Sequence, residues 1–137
     1  MTNRVNDKIS EIERYLGELS EWTPKSFEEY KDDPKTKSAC ERNFEKVIEL
    51  IIDVAFILIK ENKFKIPDDE ESSFNILAKE KIISDELAEK LRQAKGMRNI
   101  IAHEYGKIDD ELVFESIEKQ IIKDAEEFIK CVELLLK

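Results

Sequence analysis

The run VIELIIDVAFILI, residues 47–59, is the most apolar stretch of the chain. Its 13 residues include Glu49 and Asp53, so it is too short and too charged to span a bilayer. Read at the helical period, Phe44, Ile48, Ile51, Ala55 and Leu58 make one stripe, while Val47, Ile52, Val54 and Ile59 widen it well past a single face. A helix apolar around most of its circumference is buried by neighbours on more than one side. The spacing therefore predicts a central helix from about Lys35 to Glu61 and an all-α fold around it. Arg42, Glu49 and Asp53 fall along one line of this helix, because steps of seven and four return to nearly the same face. That line is either the helix's solvent strip or a wall turned toward a functional site. Periodicity does not choose between them.

Working outward, a first helix is expected from about Asn3 to Ser20, with Val5, Ile9, Ile12, Leu16 and Leu19 on one buried stripe. Thr23-Pro24 breaks it, and SFEEY forms a short helical turn before Asp32-Asp33-Pro34. Phe27 and Tyr30 are expected to pack that linker onto the body. Beyond the central helix, Asn62 to Ser73 reads as a loop with Pro67 and a run of four acids, followed by a short helix, FNILAKEKI. Ser84 then offers an N-cap for a third long helix, with Asp85 and Glu86 suiting the helix dipole. Gly106 is its natural terminator. Asp109 or Asp110 caps a last helix through Lys137, its stripe made by Leu112, Ile117, Ile121, Ala125, Phe128, Val132 and Leu135. The expected architecture is one domain, residues 1–137, folded as an antiparallel bundle of four main helices plus one or two short ones.

A chain of 137 residues can bury a core without metal or disulfide support. The high Lys and Glu content fits strongly solvated helices or a heat-loving source. Cys40 and Cys131 have no CxxC or Cys/His spacing, and the N-terminus has no apolar core of a signal peptide; both point to the reducing cytoplasm. A net charge of −9 disfavours generic adhesion to nucleic acid or to an anionic membrane.

Against that acidity stands MRNIIAHEY, Met97 to Tyr105, which holds the only histidine, His103. From Lys90 to Lys107 five basic residues face one acid, a local +4 that leaves −13 to the rest of a chain whose total is −9. The stripe of the third long helix, Leu87, Leu91, Ala94 and Ile101, asks for a hydrophobe at position 98, and the sequence puts Arg98 there. One account is an arginine whose stem covers core while its head reaches water; the other is a guanidinium held at a cleft to grip an anion bidentately. Arg98 and His103 are five residues apart, about 140° around an ideal helix, so they do not point the same way. Gly96, Ile100 and His103 make a second face bordered by Asn99, and a small residue there permits close approach of a second chain across a two-fold axis. A histidine that takes a proton from a ribose 2′-hydroxyl, with an arginine that stabilises charge on the phosphoryl oxygens, is a set for RNA phosphodiester cleavage. One histidine and scattered carboxylates offer no convincing metal site, and no cofactor is implied.

Arg98, four residues, then His103, Glu104 and Tyr105 resemble the Arg-four-residues-His-x-Tyr signature of HEPN-domain proteins, most nearly the HepT-like toxins of bacterial and archaeal toxin–antitoxin pairs. More diffusely the likeness takes in the apolar helix with Arg42, Glu49 and Asp53, the ISDELAEKL lead-in and the restart at Ile108-Asp109. The resemblance implies a helical bundle that dimerises so that two motifs line one cleft, acting as a metal-independent ribonuclease. Arg98 and His103 match the catalytic pair, with Asn99, Arg42, Glu49 and Asp53 as supporting candidates. Tyr105 matches the tyrosine that receives AMP from a partner minimal nucleotidyltransferase, the antitoxin of a type VII-like pair. Adenylate there adds negative charge and bulk where RNA must enter. Two other readings stay open: a non-cleaving subunit that binds nucleotide or that same partner, and a structural adaptor whose Arg98 and His103 belong to an interface ion cluster.

Overall fold

Helices account for nearly all of the computed structural model, which describes residues 2–103 and 108–137. Helix α1, Thr2–Trp22, buries Val5, Ile9, Ile12, Leu16 and Leu19, the expected stripe. The Thr23 hydroxyl closes it by donating to the Leu19 carbonyl at 2.6 Å, and Pro24 follows. Helix α2, Phe27–Asp32, is a short turn capped by Ser26, whose hydroxyl accepts from the Glu29 amide at 3.2 Å. It is anchored by Tyr30, which has no exposed surface and packs 5.1 Å from the Phe114 ring centre. Phe27 also packs against the core, 6.0 Å from the same ring.

Helix α3, Pro34–Glu61, begins where Asp33 accepts from the Thr36 amide at 3.2 Å, with proline in the first turn, where no amide is needed. Every member of its predicted stripe is fully buried, as are Val47 and Val54 on the flanks. It packs against α1, α2 and three helices still to come, which makes it the central element that its apolar circumference demands. Burying each large aliphatic side chain of this kind stabilises the fold by roughly 1.5–3 kcal/mol before chain entropy is counted. Asn43, buried on α3, donates to Glu18 at 2.9 Å and ties α3 to α1.

Helix α4, Glu70–Lys79, starts four residues before the predicted loop ends and stops short of Ile82. The acids taken for loop are its start signal. Asp69 is the N-cap, accepting from the Ser72 amide at 2.7 Å, and Glu70 and Glu71 fill the first turn. At the other end Lys81 adopts a positive φ of 62°, which turns the chain out of the helix.

Helix α5, Asp85–His103, is capped by Ser84 through the Leu87 amide at 3.0 Å and buries Leu87, Ala88, Leu91, Ala94 and Ile101. After the gap in the described residues, Asp109 caps α6, Asp110–Glu115, accepting from the Glu111 and Leu112 amides. A π-helical turn, Ser116–Gln120, leads straight into α7, Ile121–Leu136. Here the predicted stripe needs correction at its ends. Ile117, Ile121, Ala125, Phe128 and Val132 are buried, but Leu112 is 54% and Leu135 37% exposed. Leu112 stands five residues before Ile117, well off the stripe, and Val113 and Phe114 take its place in the core. Buried residues spaced four apart from Val113 to Ala125 would drift around an ideal helix, and the wide turn absorbs that drift.

The helices α1, α3, α5 and α7 form the four-helix bundle, with α2 and α4 as the short additions. Among the described residues there is no strand, and no helix is long and apolar enough to cross a membrane. Cys40 is buried and Cys131 half-buried; both are free, and burial pushes both thiols up.

Candidate functional site

Arg98 occupies the inward stripe of α5 between Ala94 and Ile101, where the periodicity asked for a hydrophobe. Only 12% of its side chain is exposed, and one guanidinium nitrogen donates to Oε1 of Glu70 at 2.6 Å. Its Nε is buried and meets no acceptor among the described residues. The head of Arg98 lines a cleft of about 350 Å³ walled by Glu11 and Tyr15 of α1, Lys46, Glu49, Leu50 and Asp53 of α3, and Glu70 of α4. Three residues singled out in the sequence, Arg98, Glu49 and Asp53, thus share one cleft. Glu49 is held by Lys46 at 3.7 Å and Asp53 by Lys8 at 3.3 Å. Arg42 is exposed on α3 and does not line the cleft, so the polar line of α3 is divided: its first member faces solvent, the other two rim the site.

His103 ends α5 on the exposed side, and it is not among the residues lining the cleft. Within one chain the angular separation read from the spacing holds. Gly96 is exposed and Ile100 is 39% exposed, so the face they share with His103 is uncovered; Asn99 beside it is half-buried. Tyr105, with Glu104, Gly106 and Lys107, lies outside the described residues.

Two acids of this region escaped the sequence reading. Glu70 fell in a segment taken for loop. Glu45 sits on α3 one turn before Glu49; its carboxyl is pushed up by burial and by Glu49, while Arg42 and Arg98 pull the other way. A helix that starts at Glu70 was signalled by the Asp69–Ser72 capping pair. The basic island is also less free than its composition suggested. Lys90 pairs with Glu86 at 3.3 Å, Arg92 with Glu89 at 3.2 Å and with Asn75, and Arg98 with Glu70. The cleft itself holds four carboxylates against Lys46 and Arg98, a balance of −2. A larger groove, about 600 Å³ between α1 and α7, contains none of these groups. Among the described residues, no three His, Cys, Asp or Glu side chains are grouped as a metal ion requires.

The bundle, with an arginine sunk beside the central helix and a histidine exposed one turn further on, is an all-α HEPN-type protein. The chain belongs to the HepT-like family, described as Ribonuclease HepT-like, which matches residues 8–132. It is similar to the mRNA nuclease HepT of Shewanella oneidensis, 24% identical over 132 residues that cover 96% of this chain and 98% of that protein. A putative RNase of Archaeoglobus fulgidus is 34% identical over 110 residues, covering 78% of this chain and 82% of that one. Among solved structures, the tri-AMPylated Shewanella oneidensis HEPN toxin in complex with its MNT antitoxin superposes with a TM-score of 0.91 at 24% identity, over 98% of this chain and 99% of that chain. The same fold occurs in YutE, a cytosolic protein of unknown function from Bacillus subtilis, with a TM-score of 0.85 at 16% identity over 98% of this chain and 90% of that one.

Proposed function

We propose that this protein is a metal-independent endoribonuclease toxin, acting in the cytoplasm as a homodimer whose active site is completed by both chains. The observation that carries this reading is the uncovered face of α5, where Gly96, Ile100 and His103 are exposed on the same helix that sinks Arg98 into a cleft. A second α5 docked on that face by a two-fold axis brings two His103 side chains together. One His103 then takes the proton of a ribose 2′-hydroxyl as that oxygen attacks the adjacent phosphorus. The P–O5′ bond breaks, the departing oxygen receives a proton from the partner subunit's His103, and a 2′,3′-cyclic phosphate is left. Arg98 offers planar, bidentate donors to the charge that grows on the phosphoryl oxygens. Only RNA carries the internal nucleophile.

The relatives support the class of substrate: one is named an mRNA nuclease, and another, from Aphanizomenon flos-aquae, a tRNA nuclease. The AMPylated state and MNT partner of the Shewanella toxin support the neutralising step. In that step a cognate minimal nucleotidyltransferase transfers AMP from ATP to the Tyr105 hydroxyl and releases pyrophosphate. The acidic balance of the cleft favours one competing reading, a non-cleaving subunit that binds nucleotide or the nucleotidyltransferase.

Incubating the protein with RNA in excess chelator, beside Arg98→Ala and His103→Ala, separates the two. Cleavage by the wild type with cyclic-phosphate ends is expected, falling about 10²-fold or more in each variant. Equal cleavage by all three, or none by the wild type at high concentration, sinks the catalytic reading. Intact mass after incubation with the partner and ATP tests the modification: an adduct that persists in Tyr105→Phe puts it elsewhere.

A further inference from the structure

We propose that Glu70 is a built-in competitor for the RNA phosphate: the first turn of α4 supplies a carboxylate that occupies Arg98 until substrate displaces it. The inference rests on the reading of Arg98 as the anion-binding group. Three observations carry it. Glu70 already holds Arg98 in the geometry a phosphate oxygen would use, a charge-assisted contact of 2.6 Å. The two partners are unequally fixed. Arg98 keeps 12% of its side chain exposed and is locked into the stripe of α5, whereas Glu70 is 47% exposed at the cleft mouth. A carboxylate so placed rotates into water with little desolvation change, while the guanidinium stays where it is. The pair is also incomplete. Arg98 Nε is buried without an acceptor among the described residues, so one Glu70 oxygen leaves unmet a donor that a bidentate phosphate would use.

The backbone beneath Glu70 explains why the competitor is always at hand. Asp69 caps α4 through both the amide and the hydroxyl of Ser72, at 2.7 and 2.6 Å, which fixes the first turn of a helix that packs on α5. Only the side chain of Glu70 needs to move. With it in place, the cleft carries Glu11, Glu49, Asp53 and Glu70 against Lys46 and Arg98, which repels a polyanion. With it swung out, Arg98 is available and the balance falls by one charge.

The alternative role, a positioning residue that holds Arg98 ready, predicts the opposite sign, so binding of an uncleavable RNA decides. A fluorescent 2′-O-methyl oligonucleotide, which lacks the nucleophile, is titrated by anisotropy into the full chain at fixed salt. The wild type is compared with Glu70→Gln, Arg98→Ala, the double variant and Glu71→Gln. Glu70→Gln is expected to bind roughly fivefold tighter, the scale of removing one partly exposed charge pair. That gain should vanish in the Arg98→Ala background and be absent in Glu71→Gln, which loses the same charge one residue on. Unchanged or weaker binding by Glu70→Gln overturns the proposal. So does a gain that survives without Arg98 or is matched by Glu71→Gln, since either reports general charge relief. Cleavage of unmodified RNA keeps the two readings apart: an Arg98-dependent gain in a protein that never cuts upholds the competitor and sinks the ribonuclease.

Discussion

Arg98 and Tyr30 each carry a buried hydrogen-bonding atom with no partner among the described residues, and their surroundings give them opposite meanings. Arg98 opens onto a cleft and is paired at its mouth by Glu70. Tyr30 is fully buried beside Phe114 on a helix packed against α3, and its hydroxyl is buried with no partner among the described residues. Burial first, then the neighbouring Glu41 and Cys40, pushes its ionisation far above the ordinary tyrosine range, so the hydroxyl stays neutral. A neutral hydroxyl buried without a partner weakens the fold. Tyr30→Phe is therefore expected to raise stability by about 1 kcal/mol in urea unfolding. A loss of stability would mean that the hydroxyl has an acceptor, with Glu41 the first candidate. Arg98 was legible in the sequence because a charge interrupted an apolar period. Glu70 was not, because a glutamate among four consecutive acids carries no sign of which neighbour it will meet.

At the scale of the helix, α5 has one face buried in its own chain and one left uncovered. Leu87, Leu91, Ala94 and Ile101 go into the core, while Gly96, Ile100 and His103 are left outside. Gly96 has room to spare within the protomer: a Cβ built there meets nothing within 4 Å. Glycine inside a helix is unfavourable by roughly 0.5–1 kcal/mol relative to alanine, a cost that the proposed close approach of a second chain offsets. Gly96→Gln is expected to fold at least as well as the wild type by circular dichroism, yet to sediment as a monomer where the wild type sediments as a dimer. A dimer that tolerates the larger side chain would rule this face out as the interface. The stripe of α5 could be read from spacing because it stays in phase. The stripe of the last helix was legible from Ile117 to Val132 but not before it, since the π turn at Ser116–Gln120 resets the phase without any glycine or proline to announce it.

Over the whole molecule the acidity of the chain sets its response to pH. Glu41, Glu45 and Asp124 are each pushed up, by burial before any other cause. A raised carboxyl holds its proton more tightly folded than unfolded, so stability falls as pH climbs from the unfolded values, about 4 to 4.5, through the folded ones. Asp33 and Asp69 run the other way, lowered first by the hydroxyls of Thr36 and Ser72; the stability they give is present above the unfolded aspartate value and lost below it. A net charge of −9 adds self-repulsion that mild acid relieves. Calorimetry is expected to give a higher Tm near pH 5 than at pH 8, with a decline below about pH 4. A Tm that is flat or rises from pH 5 to 8 would contradict this balance.

By itself the sequence determined that the chain is helical, which helix lies at the centre and most of the residues that fill the core, because burial periodicity and capping chemistry are local properties written in spacing. It also determined that Arg98 and His103 stand on different sides of one helix, since 100° per residue is a fixed rotation. Only the tertiary structure decided what Arg98 meets. Glu49 and Asp53 approach it from α3, Glu11 from α1 and Glu70 from α4, residues up to 87 positions away along the chain. Charge contacts of that kind depend on how whole helices pack, and no spacing rule within one helix encodes them. The apolar pattern specified the bundle, and the bundle then chose the partners of its charges.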